Sequence, residues 1–308
     1  MDCKIVRRLR VCMLGAAAGA FIACSASVRD RGTENMPSTI IYTSTVADDR
    51  ASTILNIRPD GTGDLIIGSN RDRRTQPVGR FAAPVPESLL APLRSLTASP
   101  EFAAVTGSTD LLPGDPYRQI RVIANGRDVA KTVGTGPGQP AAFLQAEQAA
   151  LAILQHLLQH PALAMTMTVS GLPERVGPGG AHLDVNLYNV GRMPFFMSAP
   201  PLWGKAQTNC ELSAVRDVPE AQLTLADQKF ASLGGSELVG ASKPAEGELL
   251  SMRPGEGVAV RFRYPFQWPP GAYRVEVTLS VTLSGADGAP LFDGNLIAGP
   301  YRIEVAAR

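Results

Sequence analysis

Cysteine and histidine are scarce in this chain, four and three among 308 residues. Three histidines supply little for a histidine-built metal centre. An excess of one charge is missing too, with 29 basic against 28 acidic residues. Nucleic acid is therefore not an expected partner, because binding it requires a basic face that neutralises phosphates. No apolar run reaches the roughly 20 residues of a membrane-spanning helix. Serine occurs in neither a Gly-x-Ser-x-Gly elbow nor a Ser-x-x-Lys pair, so a serine nucleophile has no motif. What is abundant is turn chemistry. The 30 Gly and 25 Pro favour many short strands over long helices, while 44% hydrophobic residues suffice to fill real cores.

The N-terminal residues set an address. Lys4, Arg7, Arg8 and Arg10 precede a 13-residue small-apolar run, residues 11–23 (VCMLGAAAGAFIA). That is too short to span a bilayer but has the length of a signal-peptide core. It ends in Phe21-Ile22-Ala23-Cys24 before Ser25 and a polar stretch. These residues resemble the lipobox of bacterial lipoproteins, with Phe21 standing where that family prefers Leu. The resemblance implies cleavage before Cys24 and a diacylglycerol plus N-acyl lipid on it. Ser25 after the cysteine implies sorting to the outer membrane, with the folded part facing the periplasm or the cell surface. Cleavage after Ala26, giving a soluble periplasmic protein, is the alternative; beyond Arg7-Arg8 a twin-arginine motif is absent. Loss of residues 1–23 removes four of the basic residues and one acidic one, leaving the mature chain near −2. It also removes Cys3 and Cys12. Cys210 is then a lone thiol if Cys24 carries lipid, or its disulfide partner if it does not.

Residues 24–38 read as a lipidated, polar tether. From 39 to 161 two hairpin turns, Asp60-Gly61 and Asn125-Gly126, alternate with two helices. Pro86 opens the first helix, and Leu89, Leu90, Leu93 and Leu96 share one face. The second, over Pro140–His160, carries the stripe Phe143, Ala146, Ala150, Ile153, Leu154 and Leu157. The expectation is an α+β domain, an antiparallel sheet with helices on one face. From 162 to 308 only strands are expected, the clearest being Tyr273–Leu283, where Val275, Val277, Leu279, Val281 and Leu283 alternate with polar residues. An all-β sandwich follows.

In that second part Asn189-Val-Gly191, then Pro254-Gly-Glu256, then Pro270-Gly-Ala-Tyr273 resemble the immunoglobulin-like modules of bacterial envelope proteins. The resemblance implies an immunoglobulin-like sandwich over about the last 140 residues. By element order alone, the α+β part is similar to emfourin-like inhibitors of thermolysin-type proteases, which implies no particular inhibitory residue.

Chemistry-bearing clusters are few. His156 and His160 lie one turn apart on the second helix, yet Leu157 stands where a zinc protease needs its Glu. Solvated last-turn histidines are the better reading, and no metal or cofactor is expected. His182 reads as a solvated strand end. The loop Gly134–Gly138 lacks a Lys-Ser/Thr, and Pro137 and Pro140 remove amide donors from a phosphate cradle. Residues Asn70-Arg-Asp-Arg-Arg74 read as a solvated loop. Two proline-flanked aromatic loops stand out, carrying Phe195, Phe196 and Trp203, and Tyr264, Phe266 and Trp268. Together they could form a partner-binding surface, since such residues dominate interaction hot spots; the alternative is that they cap the core. The expected function is a non-enzymatic envelope lipoprotein that binds an envelope or periplasmic protein. The alternatives are an inhibitor or immunity protein against a periplasmic protease, hydrolase or toxin, an envelope hydrolase with a site between the domains, and a structural assembly component.

Overall fold

Asn125 and Gly126 both take positive φ, 53° and 71°, as a two-residue hairpin turn requires. They join β5 (Tyr117–Ala124) to β6 (Arg127–Gly134) in antiparallel register. Gly61, at φ 82°, closes the Pro59-Asp60-Gly61 loop that turns β2 (Thr53–Ile57) into β3 (Thr62–Ile67). Both hairpins stand where the turn residues put them. The computed structural model describes residues 38–45, 52–108, 111–112, 114–177, 180–203, 209–233, 237–239 and 249–307. Cys24 and the tether as far as residue 37 lie outside the described residues.

The remaining strands of the first part are β1 (Thr39–Ser44) and β4 (Val78–Pro84). Its helices are α1 (Glu87–Thr97), α2 (Pro100–Ala103) and α3 (Ala141–Leu157). Then follow β7 (Pro161–Ser170), β8 (Arg175–Val176), β9 (Ala181–Asn189), β10 (Phe195–Ser198) and β11 (Asn209–Arg216). The last are β12 (Gln228–Ser232), β13 (Glu237–Val239), β14 (Leu249–Met252), β15 (Gly257–Tyr264), β16 (Gly271–Ser284) and β17 (Pro290–Val305).

An α+β domain followed by a separate sandwich is not what these strands build. One ten-stranded sheet runs β13-β15-β9-β7-β4-β3-β2-β1-β5-β6, taking strands from both expected parts. The seam is the antiparallel pairing of β4 with β7, Val78 opposite Met165 and Gly79 opposite Ala164. A second sheet, β12-β11-β16-β10-β14 with β17 beside β16, completes the fold. The physical reason for the correction is that backbone donors on β4 and β7 satisfy each other, so the expected edge between two domains is the middle of a ladder.

The two ends of the large sheet are covered on opposite faces. Ile40, Tyr42, Leu55, Ile57, Leu65 and Phe81 are buried on the helix face. Tyr42 reaches Glu147 of α3 there, and Lys131 of β6 donates to the Ala103 and Val105 carbonyls beside α2. Val78, one residue out of phase with Gly79 and Phe81, points the other way. So do its neighbour Met165 and, beyond it, Met167, Leu187, Val185 and Val260. That face meets the second sheet, whose inner residues Cys210, Leu212, Tyr273, Val275, Val277 and Leu279 join the same core. β17 lies against both β4 and β7. The C-terminal part is thus a β-sandwich, but one of its sheets continues into the helix-covered half.

The quoted glycine motifs have a visible role in that sandwich. Asn189 is buried, its amide donates to the Met193 and Met252 carbonyls, and its side-chain oxygen accepts from the Gly191 amide. The Pro254-Gly-Glu256 turn closes on it, since the Gly255 amide donates to the Asn189 carbonyl. Tyr273 donates to the Pro269 carbonyl at 3.0 Å, which fixes how the chain enters β16.

Candidate functional site

Among the described residues the rings of the two aromatic loops do not meet: Trp203 packs on Phe262 of β15, while Tyr264, Phe266 and Trp268 pack on one another at its end. Phe195 is fully buried and Phe196 half-buried. Trp203 is 6% exposed; its indole N–H donates to the Ser198 carbonyl at 2.7 Å and its ring lies 5.8 Å from Phe262. Phe266, 3% exposed at a positive φ of 45°, stands edge-on to Tyr264 at 4.8 Å and to Trp268 at 5.1 Å. Trp268 continues onto Tyr273 at 5.2 Å. Phe195, Trp203 and Phe266 are therefore core side chains, and Phe196, Tyr264 and Trp268 keep part of their surface open. Among the described residues no ring contact joins the two clusters.

The histidines converge only as a pair. The rings of His156 and His160 are 4.9 Å apart, and His156 Nε2 sits 3.1 Å from the Pro84 carbonyl oxygen. His182 is exposed on β9 opposite Arg263. Among the described residues no three metal-ligating side chains gather. In the glycine loop, the Gly134 amide already donates to the Ser108 hydroxyl.

A concave site lies where the second sheet stops short. Beyond β4 the sandwich face of the large sheet continues over β3 and β2, where among the described residues only the start of β17 lies above it. There Ile54, Ile66 and Arg80 stand in one row across the three strands, because Ile54 pairs with Ile66 and Ile66 with Arg80. The beginning of β17, Pro290–Asp293, overhangs that row and closes a groove of about 600 Å3. Ile54 and Ile66 form its floor, and Leu291 and Phe292 its apolar wall. Arg80 is exposed and makes no ion pair among the described residues. Asp293, on the other rim, accepts from the Thr282 hydroxyl. The groove can take an extended apolar segment with an acidic group opposite Arg80.

These groove residues escaped the sequence reading, although one signal was present. Leu65-Ile66-Ile67 is apolar on both faces, as a strand is when both sides meet something. Leu65 and Ile67 go under the helices; Ile66 goes to the groove.

No protein-family model matches the chain, and no curated protein matches it. Among solved structures it is similar to a CARDB domain from Pyrococcus furiosus, crystallised with di-metal ions. There the identity is 16%, with 47% of this chain and 90% of that one covered at a TM-score of 0.23. It is also similar to AggA, the major subunit of aggregative adherence fimbriae type I from Escherichia coli. The identity is 13%, with 46% and 95% covered at a TM-score of 0.22. Escherichia coli alpha-2-macroglobulin matches at 13% identity over 62% of this chain and 8% of that one, with a TM-score of 0.23. Scores of this size carry no functional reading, and the architecture rests on the chain's own strand pairing.

Proposed function

We propose that this chain is a non-enzymatic, lipid-anchored binding module of the bacterial envelope, which holds an extended segment of a protein partner. The observation that carries the reading is the groove under Pro290–Asp293, an apolar floor of Ile54 and Ile66 beside Arg80, which has no ion-pair partner among the described residues. A partner segment laid there would bury Ile54 and Ile66 and bring a carboxylate to the guanidinium. Burial would supply most of the affinity, and the charge would fix the register. The basic cluster, the apolar run and Cys24 support anchoring through a lipid on that cysteine.

The test is affinity capture from envelope extract with the intact protein and three variants. Ile54→Glu and Arg80→Glu are expected to lose the partner, and Trp268→Ala to keep it. A partner that survives both groove variants rules out this groove; one lost only with Trp268→Ala moves the site to the aromatic loops. Anchoring is tested separately with Cys24→Ser, which is expected to abolish lipid labelling and membrane retention.

A further inference from the structure

Back to back with the groove, on the helix face of the same strands, a second recess opens between α3 and the loop 69–76. Its volume is about 170 Å3. Ile67, Leu151 and Leu154 supply an apolar side. Its floor is Tyr42, whose hydroxyl donates to the buried Glu147 carboxylate at 2.9 Å; Arg118 holds the other carboxylate oxygen at 2.7 Å. Burial, and next to it the Glu147 charge, push the Tyr42 phenol above its usual range, so at neutral pH it stays a neutral hydroxyl.

The loop over this recess has almost no apolar side chains, so core burial does not order it. Polar pins do. Asn70 is 2% exposed; its amide donates to the carbonyls of Arg74 (2.8 Å) and Ile297 (3.1 Å), and its oxygen accepts from the Ile297 amide (2.7 Å). Arg74 leaves the loop to pair with Glu276 on β16 at 2.6 Å. With both flanks fixed, Asp72, Arg73 and Gln76 are left lining the recess opposite Ser44 and Thr53. Among the described residues the side chains of Thr53, Asp72, Arg73 and Gln76 have no hydrogen-bond or ion-pair partner. A surface loop pinned at this cost, with opposite charges presented side by side over an apolar wall, is the layout of a small-ligand site.

We propose that this recess binds a zwitterion of amino-acid size. Arg73 takes its carboxylate, Asp72 its ammonium group, and Ile67, Leu151 and Leu154 a short apolar side chain. Gln76, Thr53 and Ser44 complete the hydrogen bonding. Among the described residues, a bare anion would leave Asp72 without an opposing charge, and a bare cation would do the same to Arg73. The site is separate from the groove, so it does not depend on the protein-binding reading.

The experiment is thermal unfolding of the full-length protein in detergent, followed by circular dichroism, with L-valine as probe. Acetate and methylammonium serve as half-ligands. At 10 mM, on the order of tenfold above a millimolar Kd, L-valine is expected to raise Tm by roughly 3 °C, and each half-ligand to do less than half of that. Arg73→Ala and Asp72→Asn, both at exposed positions, should fold normally and abolish the shift, while Arg80→Glu in the groove should retain it. The proposal is overturned by no shift with L-valine, by a shift that persists in both loop variants, or by acetate matching L-valine.

Discussion

Asn70 and Ile297 bind each other twice, side-chain amide to carbonyl and side-chain oxygen to amide. That pair ties the loop after β3 to the middle of β17 and so joins the two sheets by hydrogen bonds. Because the partner groups on Ile297 are backbone and buried, removing the side chain leaves a donor and an acceptor with nothing to bind. Asn70→Ala is expected to cost about 3 kcal/mol, measured as a lower urea midpoint with an unchanged slope. It should also loosen the 69–76 loop. Arg71→Ala, an exposed neighbour, should change the midpoint by less than about 0.5 kcal/mol.

The seam between β4 and β7 depends on Gly79. At φ 142° it holds a conformation that side chains rarely adopt, and a Cβ there would lie 2.1 Å from the Leu163 carbonyl oxygen. Gly79→Ala must therefore push the two strands apart, at about 3 kcal/mol. The expected signature is specific: amide exchange quickens in β4 and β7, while the β5–β6 hairpin keeps its protection. Uniform quickening throughout would mean that the seam has no separate stability.

How much of this was legible follows from the range of each signal. The Asp60-Gly61 and Asn125-Gly126 hairpins are written in adjacent residues, and the α3 stripe in residues three and four apart, so both emerged near their observed places. β4 did not. Val78-Gly-Arg-Phe-Ala-Ala-Pro84 has no clean alternation, its buried Val78 and Phe81 facing opposite sides. Its partner β7 begins some eighty residues later, beyond any local pattern. Missing that one strand turned a continuous sheet into two domains. The aromatic loops show the converse: proline and tryptophan marked loops correctly, but composition could not distinguish Trp203, sealed under Ser198 and Phe262, from Trp268, partly open. Asn70–Arg74 read as a solvated loop because the buried hydrogen bonds of Asn70 run to a residue more than two hundred positions away.

Asp184 and Arg261 make a two-pronged ion pair across β9 and β15, at 2.7 and 2.8 Å. The guanidinium hydrogen bonds hold the Asp184 carboxyl below its ordinary range, which is about 3.9 for aspartate. A depressed folded-state value means the pair stabilises the protein above the unfolded value. That contribution is lost as pH falls through the folded one. Asp184→Asn should therefore lower stability at pH 7 modestly, the pair being partly solvated. The deficit should shrink progressively as pH falls below the ordinary aspartate range. Urea midpoints at pH 7, 5, 4 and 3 check this; a deficit that is constant with pH would assign the effect to packing.

Cys210 offers a count that bears on the anchor. It sits on the inner face of β11, fully buried and free, and burial pushes its thiol far above the usual range. Thiol reagents attack the thiolate, so the native protein is expected to be inert to Ellman's reagent at pH 8. In denaturant every free thiol becomes reachable. Cleavage before Cys24 with a lipid on its sulfur leaves one, that of Cys210. A soluble form cleaved after Ala26 also leaves one but stays out of the membrane fraction, and an unprocessed chain titrates four. One thiol in membrane-bound protein, against three in an unprocessed Cys24→Ser chain that keeps Cys3 and Cys12, separates these cases. Two thiols in the membrane-bound wild type would mean that Cys24 carries no lipid on sulfur.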